Sequence, residues 1–303
     1  MKRVWIAWLL ACLVVPFGAY VRLSQSGLGC PDWPGCFGQW TPQRAQTQIE
    51  HAVSVDPDGP VSPDKAWHEM AHRYLAGSLV LSVVAIGIRR RRQGALLLGG
   101  LVLQAALGML TVTRLLAPAM VCAHLLVGML LAAALSGLAW RTRLPGLPAP
   151  PALRSGCWLL FGLLLMQILL GGWVSSNHAA LACAGFPVCN GTWWPPLQFR
   201  DAFTAGGRMV PASGLVTIQW LHRLGALLVS CAVWALLVRG WPISRLRPGL
   251  ICLALAWGLQ VSLGAANVLL GLPLPLAVLH NAGAMALLSV TLVLALRLTR
   301  NEP

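Results

Sequence analysis

The stretch Lys65-Ala-Trp-His-Glu69-Met-Ala-His72-Arg73-Tyr-Leu-Ala-Gly77 runs directly into the apolar residues Ser78–Ile88. It is therefore expected to form the first turns of a helix long enough to cross a membrane. Glu69 and His72 lie three residues apart, so they share one face of that helix. An ionisable side chain inside a membrane costs about 3 kcal/mol on insertion scales unless it has a partner or a cofactor. We therefore expect this helix to carry the function of the protein.

The composition indicates a membrane protein that crosses the bilayer many times. Of the 303 residues, 57% are hydrophobic and only 10% are charged, whereas soluble domains have about 25% charged residues. Eight apolar stretches reach spanning length, and they predict an all-α integral membrane protein with eight transmembrane helices. The predicted spans are 4–21, 67–88, 94–114, 119–140, 156–176, 215–238, 248–270 and 275–297.

The net charge of +14 is a topology signal and not a sign of nucleic-acid binding. Most of the 22 lysines and arginines fall on one side of the predicted spans, which the positive-inside rule makes cytoplasmic. Both termini are then cytoplasmic. The residues on this side are Lys2, Arg3, Arg89–Arg92, Arg141, Arg143, Arg154, Arg239, Arg245, Arg247, Arg297 and Arg300.

The second half of the chain repeats the first at offsets of 150 to 156 residues. The corresponding features are Gly18-Ala-Tyr-Val21 with Gly171-Gly-Trp-Val174, Cys30 and Cys36 with Cys183 and Cys189, His72 with His222, and His124 with His280. Each half has four spans, an even number, so the two halves have the same orientation in the membrane. We therefore predict two tandem parallel four-helix bundles, formed by residues 1–144 and 156–303 and joined by a cytoplasmic linker at 145–155.

The four repeated histidines occur at the same depth, about 8 Å inside the outer ends of their helices at 1.5 Å per residue. A single intramembrane histidine often serves only as a hydrogen-bonding residue between helices. Two histidines in each half, at matched depth, favour facing imidazoles of the kind that bind a haem iron inside a helix bundle. Zinc is disfavoured because no carboxylate or thiolate cluster completes a tetrahedral shell. His72, His124, His222 and His280 are therefore the predicted ligands of haem iron.

The two halves differ at the position three residues before the first histidine of each pair. Glu69 precedes His72, whereas Gln219 precedes His222. A carboxylate beside a haem can position water, move protons or stabilise a developing cation, and an amide takes up no proton at neutral pH. The N-terminal half is then the reactive site and the C-terminal half an electron-transfer haem site. The alternative is that Glu69 forms a structural ion pair with Arg73 or Arg114.

Two further sets of residues are candidates for supporting roles. Arg73 and Arg223 each follow a histidine, and they can either bind haem propionates or anchor the helices at the membrane interface. The two cysteine pairs have the same spacing and lie in outer loops, which face an oxidising compartment in a bacterial cell. Disulfides that close short loops and redox-active pairs are both compatible with this placement; the cysteines are Cys30, Cys36, Cys183 and Cys189.

These residues together resemble the haem A synthase family across almost the whole chain. The motifs that carry the resemblance are Gly27-Leu-Gly-Cys-Pro-Asp-Trp-Pro34, Glu69-Met-Ala-His-Arg-Tyr-Leu-Ala-Gly77, His124, Leu170-Gly-Gly-Trp-Val-Ser-Ser-Asn177, Cys189-Asn-Gly191, Trp220-Leu-His-Arg-Leu-Gly225 and His280-Asn281. The resemblance implies an enzyme that oxidises the C8 methyl group of haem O, through a hydroxymethyl stage, to the formyl group of haem A for cytochrome c oxidase. It implies a bound haem b (iron protoporphyrin IX) as the cofactor.

The resemblance also implies a role for each site residue. His222 and His280 would bind the iron of haem b, His72 and His124 would hold the substrate haem, and Glu69 would be the essential acid beside it. The family's cysteine pairs fall on the two pairs named above. One departure is His178, where a non-ligating residue is expected; it leaves open an extra redox or metal contact.

The same resemblance implies a multi-pass protein of the bacterial inner membrane whose partners are haem O, membrane lipid, haem O synthase and oxidase-assembly factors. A homo-oligomer is left open. The alternative function is a dihaem b cytochrome that only transfers electrons, since it would also need four matched histidines. That alternative gives no reason for Glu69 to occur in one half alone.

Overall fold

The computed structural model describes residues 2–141, 143–203 and 210–299, and Arg300 lies outside these ranges. Within them all regular secondary structure is helical. The helices are α1 (Lys2–Leu23), α2 (Gln46–Val55), α3 (Pro63–Gly87), α4 (Arg91–Thr113), α5 (Pro118–Trp140), α6 (Pro151–Ser176), α7 (Phe199–Ala202), α8 (Ala212–Gly240), α9 (Arg247–Leu269) and α10 (Leu274–Leu298). A single 3₁₀ turn, Ser244–Leu246, precedes α9.

Eight of these helices are long and apolar enough to cross a membrane, which confirms the predicted all-α membrane fold. Each contains most of one predicted span. The structure adds two short helices, α2 and α7, that lie between spans and that the apolar pattern did not predict. The arrangement as two tandem parallel four-helix bundles stays a prediction.

Local sequence signals explain where the helix with the functional residues begins. Ser62 caps α3 by accepting a hydrogen bond from the backbone N–H of Lys65 at 3.3 Å. Pro63 occupies the first helical position, where its missing N–H costs nothing, and Asp64 adds negative charge at the positive end of the helix. The start of α3 is therefore fixed, and with it the positions of Glu69 and His72.

The chain forms two compact units, Met1–Leu135 and Ser136–Pro303. In the first unit α3 packs against both α1 and α4. In the second unit α8 packs against α6 and α9, and α10 packs against α6 and α9. The first unit ends inside α5, nine residues before the predicted boundary at 144. The assignment of one function to each half stays a prediction.

The core of the first unit is formed by small and branched apolar side chains that recur at helical spacing. In α1 and α3 such residues face inward while larger apolar side chains face outward, as expected for helices surrounded by lipid. The inward residues are Val4, Ala7, Ala11 and Val14 in α1 and Leu79, Val83 and Ile86 in α3. The small alanines let the two helices approach closely.

Candidate functional site

Each of the four repeated histidines lies against a glycine on the preceding membrane-length helix. A Cβ atom at these glycines would lie only 2.8 to 3.2 Å from Cε1 of the histidine ring, so a larger residue would displace the imidazole. The pairs are Gly18 with His72, Gly108 with His124, Gly171 with His222, and Gly264 with His280. The glycines recur in the second half at offsets of 153 and 156 residues, within the range of the other repeated features, and that recurrence was the signal by which the sequence could have identified them.

The C-terminal pair has a ring spacing that is compatible with a metal ion between the two imidazoles. The ring centres of His222 and His280 are 6.5 Å apart. Two imidazoles bound to opposite sides of one metal ion have ring centres about 6 Å apart, because each metal–nitrogen bond is about 2 Å. The Nδ1 atom of His280 is buried without a hydrogen-bond partner. These residues therefore fit a haem iron held between the two rings.

The N-terminal pair shares the buried, unpartnered ring nitrogens. The Nδ1 atoms of both His72 and His124 are buried without a hydrogen-bond partner among the described residues. Phe17 lies beside His72, with ring centres 6.3 Å apart. An apolar environment with two unpartnered imidazole nitrogens suits a porphyrin, which supplies both an apolar surface and a metal ion.

Glu69 is buried, with 4% of its surface exposed, and both of its oxygens have partners. The backbone N–H of Cys30 donates to Oε2 at 2.9 Å, and the guanidinium of Arg73 pairs with Oε1. The ion pair that was the alternative interpretation is therefore present. It does not exclude a chemical role, because each carboxylate oxygen can accept more than one hydrogen bond.

Gln219 occupies the corresponding position in the second unit and has a different environment. It is buried, with 5% of its surface exposed, but its Oε1 atom has no partner among the described residues. The neighbouring Arg223 instead donates to the carbonyl oxygens of Cys183, Gly185, Pro187 and Val188 at 2.8 to 3.4 Å. The C-terminal half thus has the same arginine and loop without a carboxylate between them.

Arg73 and Arg223 both bind the disulfide loop of their own unit. Arg73 donates to the carbonyl oxygens of Pro34 and Gly35 as well as to Glu69. These contacts account for the position of each arginine without a haem. Their predicted binding of haem propionates stays a prediction.

The two cysteine pairs form disulfides, as predicted. Cys30 is bonded to Cys36 and Cys183 to Cys189, and all four residues have no exposed surface. Each loop is further closed by an isolated antiparallel bridge from its second cysteine, to Gln39 or to Thr192. A buried disulfide is protected from thiols in solution, which favours the structural role over the redox role.

The structure shows His68, the residue before Glu69, in a hydrogen-bonded network. Its ring nitrogens lie 3.4 Å from the hydroxyl of Tyr20 and 3.3 Å from that of Ser26, and Ser26 contacts Ser24 at 2.9 Å. The corresponding positions of the second unit hold Ile218, Trp173 and Ala179, and the indole of Trp173 donates instead to the carbonyl oxygen of Ala202 at 3.1 Å. Among the described residues, these three positions do not form a similar network in the second unit.

Sequence reasoning also missed three glutamines beside the histidines. Each lies four residues before the glycine that contacts the ring, and its amide reaches that ring at 3.0 to 3.4 Å. The pairs are Gln104 with His124, Gln167 with His222, and Gln260 with His280. Their spacing from the glycines was the signal that could have found them.

The remaining histidines lie away from both sites. His51 is exposed on α2, and His178 is exposed in the turn after α6 with a φ of 55°. Gln25 has the same conformation, with a φ of 57°, at the corresponding position of the first unit. The extra redox or metal contact that was left open for His178 is not tested by this placement.

Comparison with known proteins adds a family to this geometry. The sequence model of the COX15-CtaA family, described as "Cytochrome oxidase assembly protein", matches residues 2–292. The chain is 40% identical to the haem A synthase of Shewanella oneidensis, over 95% of this chain and 94% of that protein. It is 33% identical to the haem A synthase of Methylobacterium radiotolerans, over 98% of this chain and 90% of that protein. It is 32% identical to the haem A synthase of Paracoccus denitrificans, over 96% of this chain and 86% of that protein.

Proposed function

The chain belongs to the COX15-CtaA family of cytochrome oxidase assembly proteins, and we propose that it is a haem A synthase, a membrane enzyme that oxidises the C8 methyl group of haem O to the formyl group of haem A. Relatives named haem A synthase align with nearly the whole chain. The observation that carries the reaction to particular residues is the buried Glu69 beside the first histidine pair, where the second pair has Gln219.

The first unit would bind the substrate. His72 and His124 hold the iron of haem O, and Gly18 and Gly108 leave room for their rings. The lipid-facing helices allow a substrate with an apolar tail to enter from the membrane. Arg73 and the disulfide loop lie at the end of α3 that carries Glu69, so they fix the carboxylate next to the substrate.

The second unit would bind haem b as a resident cofactor. The ring spacing of His222 and His280 fits an iron between them, and Gly171 and Gly264 keep both rings in place. When bound, haem b supplies one-electron redox chemistry. The amides of Gln167 and Gln260 reach the two histidines, and Gln219 stands where the first unit has the carboxylate of Glu69.

Glu69 would stabilise positive charge that develops on the methyl carbon as it is oxidised, or hold the water that attacks it. A carboxylate with two fixed hydrogen-bond donors keeps its position, and its free lone pairs can still accept from water. His68, which precedes Glu69 on α3, contacts the hydroxyls of Tyr20 and Ser26 and so adds polar groups to the same turn of the helix.

The protein is a multi-pass membrane protein of a bacterial type. We place it in the inner membrane with both termini in the cytoplasm, so that both disulfide loops face the oxidising side. Its substrate comes from a haem O synthase, and its product goes to the assembly of cytochrome c oxidase. We therefore expect haem O synthase and oxidase-assembly factors as its protein partners.

The deciding experiment uses cells that make this protein together with a haem O synthase, with haems extracted and separated by chromatography. The native protein is expected to form haem A. Glu69→Gln should reduce haem A by at least about 100-fold, the effect expected for loss of a charge-stabilising group, with normal protein level and normal haem b content.

Gln219→Glu is the matched control, because it adds a carboxylate at the corresponding position of the other unit and should leave haem A formation within about twofold of the native level. The proposal is wrong if Glu69→Gln forms haem A normally. Two equivalent haem b molecules per chain, no haem A and no effect of either substitution would instead identify an electron-transfer cytochrome.

A further inference from the structure

The four histidine–glycine contacts are alike, but only three of them include a glutamine. In helices α4, α6 and α9 the glutamine lies four residues before the glycine, in the sequences Gln104-Ala-Ala-Leu-Gly108, Gln167-Ile-Leu-Leu-Gly171 and Gln260-Val-Ser-Leu-Gly264. In α1 the sequence is Val14-Val-Pro-Phe-Gly18. The exception is the contact of His72, in the unit that is proposed to bind the substrate.

Each glutamine amide lies at the edge of its imidazole. Nε2 of Gln104 is 3.3 Å from Nε2 of His124, and Nε2 of Gln260 is 3.4 Å from Nε2 of His280. Gln167 approaches Nδ1 of its histidine at 3.0 Å and also donates to the backbone carbonyl of the same residue at 2.9 Å. All three Oε1 atoms are buried without a partner, so each amide retains an acceptor for an imidazole N–H.

A glycine on the facing helix makes room for each of these amides. A Cβ atom at Gly128 would lie 3.0 Å from Nε2 of Gln104, and side chains at Gly225 and Gly283 would collide with Oε1 of Gln167 and Gln260. The glutamine and the facing glycine therefore belong together, because the glycine leaves the space that the amide fills. This arrangement occurs beside His124, His222 and His280.

His72 has neither the glutamine nor the glycine of this arrangement. Val14 stands where the second unit has Gln167, and Leu75 stands where it has Gly225. Among the described residues no side chain donates to or accepts from the ring of His72, and its Nδ1 atom is buried without a partner. Phe17, an apolar side chain, is its aromatic neighbour.

We propose that Gln104, Gln167 and Gln260 are positioning residues that hold the imidazoles of three histidines, and that His72, which has none, is the displaceable histidine through which the substrate haem enters and the product haem leaves. The proposal rests on the proposed function, because it requires that one haem is a substrate and the other a cofactor.

The distribution of glutamines fits the different needs of the two haems. A cofactor must stay bound through many reactions, and both of its ligands, His222 and His280, have a glutamine. A substrate must be exchanged in every reaction, and only one of its ligands, His124, has one. A hydrogen bond to a ligating histidine fixes its orientation, and removal of such partners typically weakens metal binding by about 10- to 100-fold.

Release of haem to an excess of apomyoglobin tests the proposal on the purified full-length protein loaded with both haems. The transferred haem is identified by chromatography, so haem O reports on the first unit and haem b on the second. In the native protein haem O should leave at least about tenfold faster than haem b. Gln167→Met, which keeps the side-chain volume and removes the amide, should accelerate release of haem b by about tenfold and leave that of haem O unchanged.

The reverse substitution builds the arrangement beside His72. Val14→Gln combined with Leu75→Gly should slow release of haem O by about tenfold relative to Leu75→Gly alone, without any effect on haem b. A general loss of structure would change the release of both haems. If the double variant does not accumulate, Val14→Gln compared with Val14→Met decides the same question, since only the amide should slow release of haem O.

Unchanged release of haem b in both Gln167→Met and Gln260→Met would overturn the positioning role. Unchanged release of haem O in Val14→Gln/Leu75→Gly would overturn the role of His72. Failure of the proposed function has a different signature: the purified protein would contain haem b in both units and no haem O, whatever the glutamine substitutions do to its release.

Discussion

The two units share a disulfide loop, an arginine that binds it and a glycine against each histidine, and they differ around the turn of α3 and α8 that carries Glu69 or Gln219 and in the glutamine that is absent beside His72. The shared parts include the disulfide, the loop bridge and the arginine that binds the loop carbonyls. The differences lie within one turn of each other: Glu69 against Gln219 and His68 against Ile218. Under the proposed function the common scaffold serves haem binding, and the chemistry is assigned to the polar region around Glu69 in the first unit.

The arginine and loop show how little change this required. In the second unit Arg223 has four loop carbonyls as partners. In the first unit Arg73 contacts two carbonyls and the carboxylate of Glu69. A charged side chain is thus accommodated by redirecting an arginine that the scaffold already has, which is the arrangement that a buried carboxylate needs.

The largest difference between the units should appear when each loses its α3 or α8 histidine. His222→Ala should reduce the haem b content of the purified protein by more than about tenfold, because it removes an iron ligand, and haem A formation should fall with it. His72→Ala should keep haem b near its native content and abolish haem A. Haem extraction and chromatography measure both.

Retention of the α-helical circular dichroism signal is the control for folding in both variants. The opposite pattern, in which His72→Ala loses haem b and His222→Ala keeps it, would exchange the roles of the two units.

The next largest difference should come from the disulfides. Cys30→Ser/Cys36→Ser removes a bond worth about 2 kcal/mol of stability and frees the loop whose backbone N–H holds Glu69. We expect haem A formation to fall by about tenfold or more, because a catalytic group that is misplaced by a small distance loses that much rate.

Cys183→Ser/Cys189→Ser is the matched variant. It should cost similar stability, measured as the midpoint of thermal unfolding in detergent, with haem A formation within about threefold of the native level. Equal losses of activity in the two variants would show that the disulfides act only through stability, or that both units take part in the chemistry.

A smaller effect is expected from the glycines beside the histidines. A Cβ atom at Gly18 would lie 2.8 Å from Cε1 of His72, whereas at Gly108 it would lie 3.2 Å from that of His124. Overpacking of this kind typically costs about 1 to 3 kcal/mol, so Gly18→Ala should reduce haem O binding more than Gly108→Ala. The haem O content of the two purified variants measures this, and the reverse order would contradict it.

The sequence predicted the membrane helices well because their signal is composition over about 20 residues. It also predicted the two cysteine pairs, since internal repetition shows which residues correspond, whereas the common depth of the four histidines stays a prediction. The ion pair of Glu69 with Arg73 was one of the alternatives that the sequence offered, but the sequence could not predict that Arg73 also binds the carbonyl oxygens of Pro34 and Gly35, because these contacts depend on the path of a loop. The short helices α2 and α7 were missed because neither is long or apolar enough to give a membrane signal.

The smallest effect is expected for His68, and it is the most informative about where the polar region ends. His68→Phe removes two weak hydrogen bonds, to Tyr20 and Ser26, and keeps an aromatic ring beside Tyr20, with which His68 now makes an edge contact at 5.1 Å. Net hydrogen bonds contribute about 1 kcal/mol each, so thermal stability should fall slightly and haem A formation should stay within about fivefold.

Ser26→Ala is its control, because it removes one of the same hydrogen bonds without changing the ring. If both variants lose a little stability and little activity, the Tyr20–His68–Ser26 network only supports the loop. Glu69 is then the one residue of this region with a chemical role. A loss of activity of about 100-fold in His68→Phe alone, at unchanged stability, would exceed what a hydrogen bond supplies. It would extend the reactive region from Glu69 to the imidazole of His68, the polar group that Ile218 replaces in the other unit.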